Sequence, residues 1–268
     1  MNNIQQILIN IKTEFDSAIT TARFNNRDYD NGNRAKEALI RSQRIINHIH
    51  EFIKNEFILC GVPGSTIYPP VGRTSPEVRI KGFLKLKNQD VSIIPLPELV
   101  SKASFGSSEV EKILTVNIRS QLSSLSKNID TLYERTFAEA LNLHLNYPKQ
   151  CLGEVYLIPT HEYDDRAMMQ NRILFKAASR IEDYIRMFQA INNRRITTQD
   201  EYKYERVCLL IADFRQGNPK LYSSVEELKS DGLIPRNSDL SMDRLTIDNF
   251  AQDLLDIYIG RFGRGVII

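Results

Sequence analysis

The apolar positions change period several times along the chain, and each change predicts an element. Ile4, Ile7, Leu8, Ile11 and Phe15 recur at helical spacing. The polar stretch "NNRDYDNGN" interrupts them around Gly32. Ala38, Leu39, Ile45, Ile46, Ile49, Phe52, Ile53 and Phe57 then form one long stripe, which predicts a second helix ended by the Gly and Pro punctuation of "CGVPGSTIYPPVG". From Val78 the period drops to two. Val78, Ile80, Leu84 and Leu86 alternate with Arg79, Lys81, Phe83, Lys85 and Lys87, so the spacing predicts a half-buried strand with one apolar and one mostly basic face. A tight polar turn near Lys87 and Asn88 leads to a second, antiparallel strand that opens at Asp90.

The segment 101–125 is Ser-rich and less regular. A helix is expected over about 127–146, carrying Ile129, Leu132, Phe137 and Leu141 and stopped by Pro148. "CLGEVYLIP" predicts a strand over 152–159, a helix follows over about 166–192, and "YERVCLLIADF" predicts a strand whose nearly continuous apolar run suits a sheet interior covered on both faces. The long helix between these two strands implies a parallel pair with a right-handed crossover. Ser224 and Glu227 form a capping box for a short helix ending at Gly232, and a last helix covers about 244–262. The expected fold is therefore α/β, a mixed central β-sheet flanked by helices. An N-terminal helical segment, 1–62, packs on a core of 63–268 within one compact domain.

Composition narrows the class without naming a function. The 268 residues are 42% hydrophobic and 25% charged, as in ordinary soluble globular chains, and no window reaches the length of a membrane span. "MNNIQQ" lacks the basic and apolar regions of a signal peptide, and Cys60, Cys151 and Cys208 lie far apart in apolar segments, so free thiols in a reducing cytoplasm are expected. No Cys-x-x-Cys or paired His spacing suggests zinc; His48 and His50, two apart on a helix, point to different faces. A net charge of +2 announces no polyanionic partner, so any such partner must be argued from where the basic residues lie. No P-loop, Gly-x-Gly-x-x-Gly or serine nucleophile elbow is present.

Two acids stand out: Asp90 at the start of a strand and Glu154 inside one. A carboxylate within a buried strand is costly unless it is paired or bound to a metal, and two carboxylates from neighbouring strands suit Mg²⁺. "GFLKLKNQDVSIIP", "SSLSKNIDTLYERTFAEALNLH" and "PKQCLGEVYLIP" together resemble a type II restriction endonuclease of the PD-(D/E)XK nuclease superfamily, over about residues 76–214. That superfamily places an Asp at the start of one strand and Asp/Glu-x-Lys on the next core strand, followed by a helix and a further parallel strand. Asp90 matches the first position and Glu154 the second, while Tyr156 stands where the motif has lysine.

The resemblance implies a restriction-endonuclease-like fold and Mg²⁺-dependent, sequence-specific cleavage of double-stranded DNA by a homodimer. Asp90 and Glu154 would hold the metal. Glu134 or Glu139, on the helix, is a third ligand, and Lys81 or Lys85 replaces the motif lysine, with Lys85 nearer Asp90. DNA contacts are expected from Lys81, Lys87, Arg119, Gln121, Ser123, Arg194 and Arg195, residue types that bond phosphates and base edges. The missing motif lysine keeps open a non-catalytic nucleic-acid-binding protein on the same fold, and the helical stripes of 1–60 and 244–262 a structural or interaction protein.

Overall fold

A computed structural model describes residues 4–122 and 124–267, without the side chains of Ser126 and Lys127. The N-terminal segment forms α1 (Ile4–Thr21), a small hairpin of β1 (Arg23–Phe24) and β2 (Arg27–Asp28), then α2 (Gly32–Arg41) and α3 (Arg44–Leu59). The stripe of residues 38–57 is thus two helices, because the chain turns at Gln43, whose φ is +61°. Gly32 is required where α2 starts against α1: a Cβ there would sit 2.2 Å from the Ile19 carbonyl oxygen.

The remaining elements are β3 (Ile67–Tyr68), β4 (Val78–Lys81), β5 (Leu86–Gln89), β6 (Val91–Ile93), α4 (Leu99–Ala103), β7 (Leu114–Ser120), α5 (Leu125–His144), β8 (Leu152–Pro159), β9 (His161–Tyr163), α6 (Asp165–Met168), β10 (Phe175–Ala178), α7 (Ile181–Ala190), β11 (Arg206–Asp213), β12 (Lys220–Tyr222), α8 (Val225–Ser230) and α9 (Phe250–Phe262). Six strands form the central sheet in the order β12-β11-β8-β7-β6-β3. β8 runs parallel to β7 and β11, and the outer strands join antiparallel, so the sheet is mixed as the patterning predicts.

Strand alternation divides the core into two layers. Val116, Ile118, Val155, Leu157 and Leu210 pack with α1, α3 and α9. Leu152, Tyr156, Ile158, Leu209 and Ile211 pack with α5 and α7. All eight residues of β8 and of β11 are buried, which is why both read as continuous apolar runs. Cys151 and Cys208 are buried free thiols and Cys60 is half-buried. Among the described residues no helix is long and apolar enough to cross a membrane.

Four expectations are corrected. The alternation from Val78 does not continue through Gly82. The chain folds there into the β4–β5 hairpin, leaving Phe83, Leu84 and Leu86 exposed, and the turn is residues 82–85 rather than Lys87 and Asn88. The Ser-rich segment contains β7, which lies between β6 and β8, so the strands bearing Asp90 and Glu154 are not neighbours. The helix expected over 166–192 is α6, a β9–β10 hairpin and the shorter α7. The last helix starts at Phe250, after a left-handed Asn249. Ser224 does cap α8, accepting from the Glu227 amide, while the Glu227 carboxylate reaches the Ser223 amide.

Candidate functional site

Alternation on β7 and β8 assembles a polar layer under α5. Because Val116 and Ile118 face α3, Asn117 and Arg119 project the other way; because Val155 and Leu157 face the same side, Glu154 and Tyr156 project toward α5. The register sets Asn117 opposite Glu154 and Arg119 opposite Tyr156. α5 contributes Glu139 from its buried face. Asp90 sits just before β6, where its Oδ2 accepts from the Ile118 amide at 2.7 Å.

Three carboxylates here share two cations. Glu139 accepts from Asn117 Nδ2 at 3.2 Å, from Lys87 Nζ at 3.2 Å and from Arg119. Arg119 Nε also lies 3.1 Å from Glu154 Oε1. Glu154 is wholly buried, and neither of its carboxylate oxygens accepts a hydrogen bond. Burial pushes its carboxyl up to about 8, against the pull of Arg119. Burial likewise raises Asp90 to about 6, opposed by the Ile118 hydrogen bond. At Glu139 burial is outweighed by Arg119 and Lys87, which hold the carboxyl below its ordinary value.

A cavity of about 430 Å³ opens onto this layer. Lys87, Asp90, Asn117, Arg119, Glu139 and Tyr156 line it from the sheet side and α5, and Ile46 and His50 from α3. His50 Nε2 has no hydrogen-bond partner and lies 4.0 Å from Asp90 Oδ2. Burial lowers its pKa to about 4, so the imidazole is neutral near pH 7. His48 points the other way and meets Glu14 at 2.9 Å, as the spacing of the two histidines predicts.

The structure brings together only part of the expected residue set. Glu154 pairs with Arg119, and Asp90 accepts from the neighbouring Ile118 amide; their strands are separated by β7. Lys87, Arg119 and Gln121 line the cavity. Lys85 does not: it is exposed in the turn that begins at Gly82, and Lys81 is exposed on β4. Glu134 lies on the exposed side of α5 and lines a different pocket with Asp130 and Tyr133, so the helix acid at this site is Glu139. Arg194 is fully buried, so it cannot make the surface contact expected of it. Its guanidinium serves Glu205 and the carbonyls of Pro148, Thr197 and Gln199. Arg195 is exposed outside the cavity, and Ser123 lies outside the described residues. Sequence reasoning missed His50 and Asn117. For His50 the signal was its helical phase, in step with Ile46 and Ile53 rather than with the polar face.

Among the described residues no group of three or more His, Cys, Asp or Glu is placed to hold a metal ion. Asp90 lines the cavity; Glu154 lies wholly buried behind that lining, its Oε1 paired with Arg119 Nε and neither oxygen accepting a hydrogen bond. Compared with protein-family models, curated proteins and solved structures, the chain matches none.

Proposed function

We propose that the chain is a Mg²⁺-dependent endonuclease of double-stranded DNA, hydrolysing phosphodiester bonds at the cavity between α3, the sheet and α5. The observation that carries this reading is the pairing of Glu139 and Glu154 with Arg119, with Lys87 on Glu139 and Asp90 on the adjacent Ile118 amide. It occurs on a chain order of Asp-bearing strand, antiparallel strand, helix and parallel strand. That order is the one the restriction-endonuclease resemblance implies. β7 then takes the place of the motif strand, with Asn117, Ile118 and Arg119 standing where that superfamily has Asp/Glu-x-Lys.

Asp90 and Glu154 would hold the ion, which when bound supplies Lewis-acid polarisation of the phosphate and acidifies a water. Lys87, on the cavity wall, donates to a non-bridging phosphate oxygen. Arg119 fixes Glu139 and Glu154 against each other, so the carboxylates need no reorganisation when substrate arrives. Neutral His50 faces Asp90 and limits the space open to water. A palindromic duplex is most simply read by a twofold dimer, so the active form is a homodimer.

One arrangement favours a second reading, a non-catalytic DNA-binding protein. Asn117 replaces an acid on β7, and the Arg119 guanidinium fills the space between Glu139 and Glu154. Incubation with plasmid DNA with and without Mg²⁺ separates the two. Discrete fragments that need Mg²⁺ support the nuclease. A gel shift without cutting supports the binder; DNA that is neither cut nor shifted is not the partner.

A further inference from the structure

We infer that the tip of the β4–β5 hairpin is a wedge that inserts Phe83 and Leu84 into the DNA duplex beside the cavity, an inference that rests on the DNA reading of that cavity. Phe83 is 58% and Leu84 81% exposed, so the turn presents two large apolar side chains to solvent. Such exposure gains nothing for folding, yet the turn is held rigidly. Phe83 N donates to the Asn142 carbonyl at 2.7 Å. Leu84 N and Lys85 N donate to Asn142 Oδ1 at 2.8 and 3.0 Å, and Asn142 Nδ2 donates to the Lys85 carbonyl at 3.1 Å. Tyr147 Oη donates to the Lys81 carbonyl at 2.8 Å. Gly82 is needed for this close docking, since a Cβ there would lie 2.0 Å from Asn142 Nδ2. A pre-organised apolar tip loses little entropy when it binds.

Charge selects the occupant. Residues 78–89 carry Arg79, Lys81, Lys85 and Lys87 and no acid. Cross-strand pairing puts Arg79, Lys81, Leu86 and Asn88 on one exposed face. Asn88 and Lys87 of that hairpin also line the cavity, so a polyanion lying along the basic face runs on into the site. Apolar side chains flanked by cations are what proteins push between base steps, unstacking and unwinding the duplex while the cations hold phosphates.

The test uses the full chain in EDTA, so that no cutting intervenes, with random-sequence duplex for affinity and relaxed plasmid closed by a metal-independent topoisomerase for unwinding. Wild type is expected to shift the topoisomer distribution. Phe83→Ala/Leu84→Ala should abolish the shift and weaken binding about tenfold, the scale of lost stacking contacts, with an unchanged melting temperature because both side chains are exposed. Lys81→Ala should lower the salt slope by about 0.9 on a log–log plot without changing the unwinding. If the double variant binds and unwinds like wild type, the wedge is overturned while the DNA reading stands. If wild type binds no duplex, both fail. If the double variant changes only sedimentation, from dimer to monomer at unaltered DNA affinity, the tip is a self-association surface and the inference is wrong.

Discussion

Arg119 Nε lies 3.1 Å from Glu154 Oε1 in the interior layer between the sheet and α5, and the same guanidinium holds Glu139. Glu154 is fully buried and Glu139 almost so. Removing the cation strands the Glu139 carboxylate away from water and takes from Glu154 the charge that opposes its protonation. Arg119→Met should therefore cost about 3–5 kcal/mol, the usual result of breaking a buried pair from one side. Adding Glu139→Gln and Glu154→Gln to it should recover most of that loss. Urea unfolding of the single and triple variants measures both numbers; a single variant as stable as wild type would show that the pair contributes nothing.

The same layer makes stability depend on pH. Glu154 holds its proton up to about pH 8 in the folded chain but only to its ordinary 4.5 when unfolded. Between those values the folded state binds more protons. The contribution is complete below pH 4.5 and declines as pH rises toward 8, with a slope of at most about 1.4 kcal/mol per unit. Asp90 adds to the slope between 3.8 and about 6. In Glu154→Gln the decline above pH 6 should vanish, so the variant gains on wild type at pH 8 and not at pH 5. Thermal melts across that range decide it, and parallel curves for the two proteins would refute the assignment.

These residues also mark where the sequence was legible. β8 and β11 are plain because both faces are apolar, and α1 because its stripe is uninterrupted. β7 is hidden because one of its faces carries Thr115, Asn117 and Arg119, of which Asn117 and Arg119 serve Glu139 and Glu154 rather than solvent. The hairpin is hidden because alternation persists past Gly82, and only the docking of Asn142, from about sixty residues further along, reveals that the strand has turned. Tertiary contacts of that kind leave no local period. Asp90 and Glu154 are visible as misplaced acids, whereas the choice of Glu139 over Glu134 and of Lys87 over Lys85 needs the phase of α5 and the position of the turn.

Glu205 provides the opposite pH dependence. It is buried with Arg194 Nη1 at 3.2 Å and Arg261 Nη1 at 2.9 Å, and its Oε2 accepts from the Leu152 amide at 2.7 Å. Burial disfavours its charge, but His144, Arg261 and the amide outweigh that and bring it down to about 2. Its contribution is present above pH 4.5 and lost as pH falls toward 2. Glu205→Gln should lose about 3–5 kcal/mol at pH 7, because two guanidiniums are left buried without a counter-charge, and should be less acid-sensitive than wild type. Unfolding at pH 7 and pH 3 gives both values.

Asn142 ties the hairpin to α5 through its side chain. Asn142→Ala removes two accepted bonds and one donated bond. At roughly 0.5–1.5 kcal/mol for each of the three bonds, a loss of about 1.5–4.5 kcal/mol is expected, concentrated in the hairpin. Amide exchange at Leu84 and Lys85 should accelerate far more than exchange in β8. Uniform acceleration throughout the sheet would mean that the hairpin is not an independently opening unit.

Lys87 and Lys85 lie two residues apart and should behave differently. Lys87 lines the cavity and lies 3.2 Å from Glu139 Oε2, whereas Lys85 is exposed in the turn and outside the cavity. In the proposed nuclease Lys87 meets a phosphate whose charge grows during attack, so Lys87→Ala should slow cleavage at least about 100-fold with only a small change in affinity. Lys85→Ala should leave the cleavage rate at saturating DNA within about threefold and instead lower the salt slope of binding by about 0.9. Lys87→Arg keeps the charge but not the compact ammonium, and should restore part of the rate. Single-turnover cleavage and salt-dependent binding on the same preparations separate the roles. The placement of the catalytic lysine would be wrong if Lys85→Ala were the variant that lost the rate.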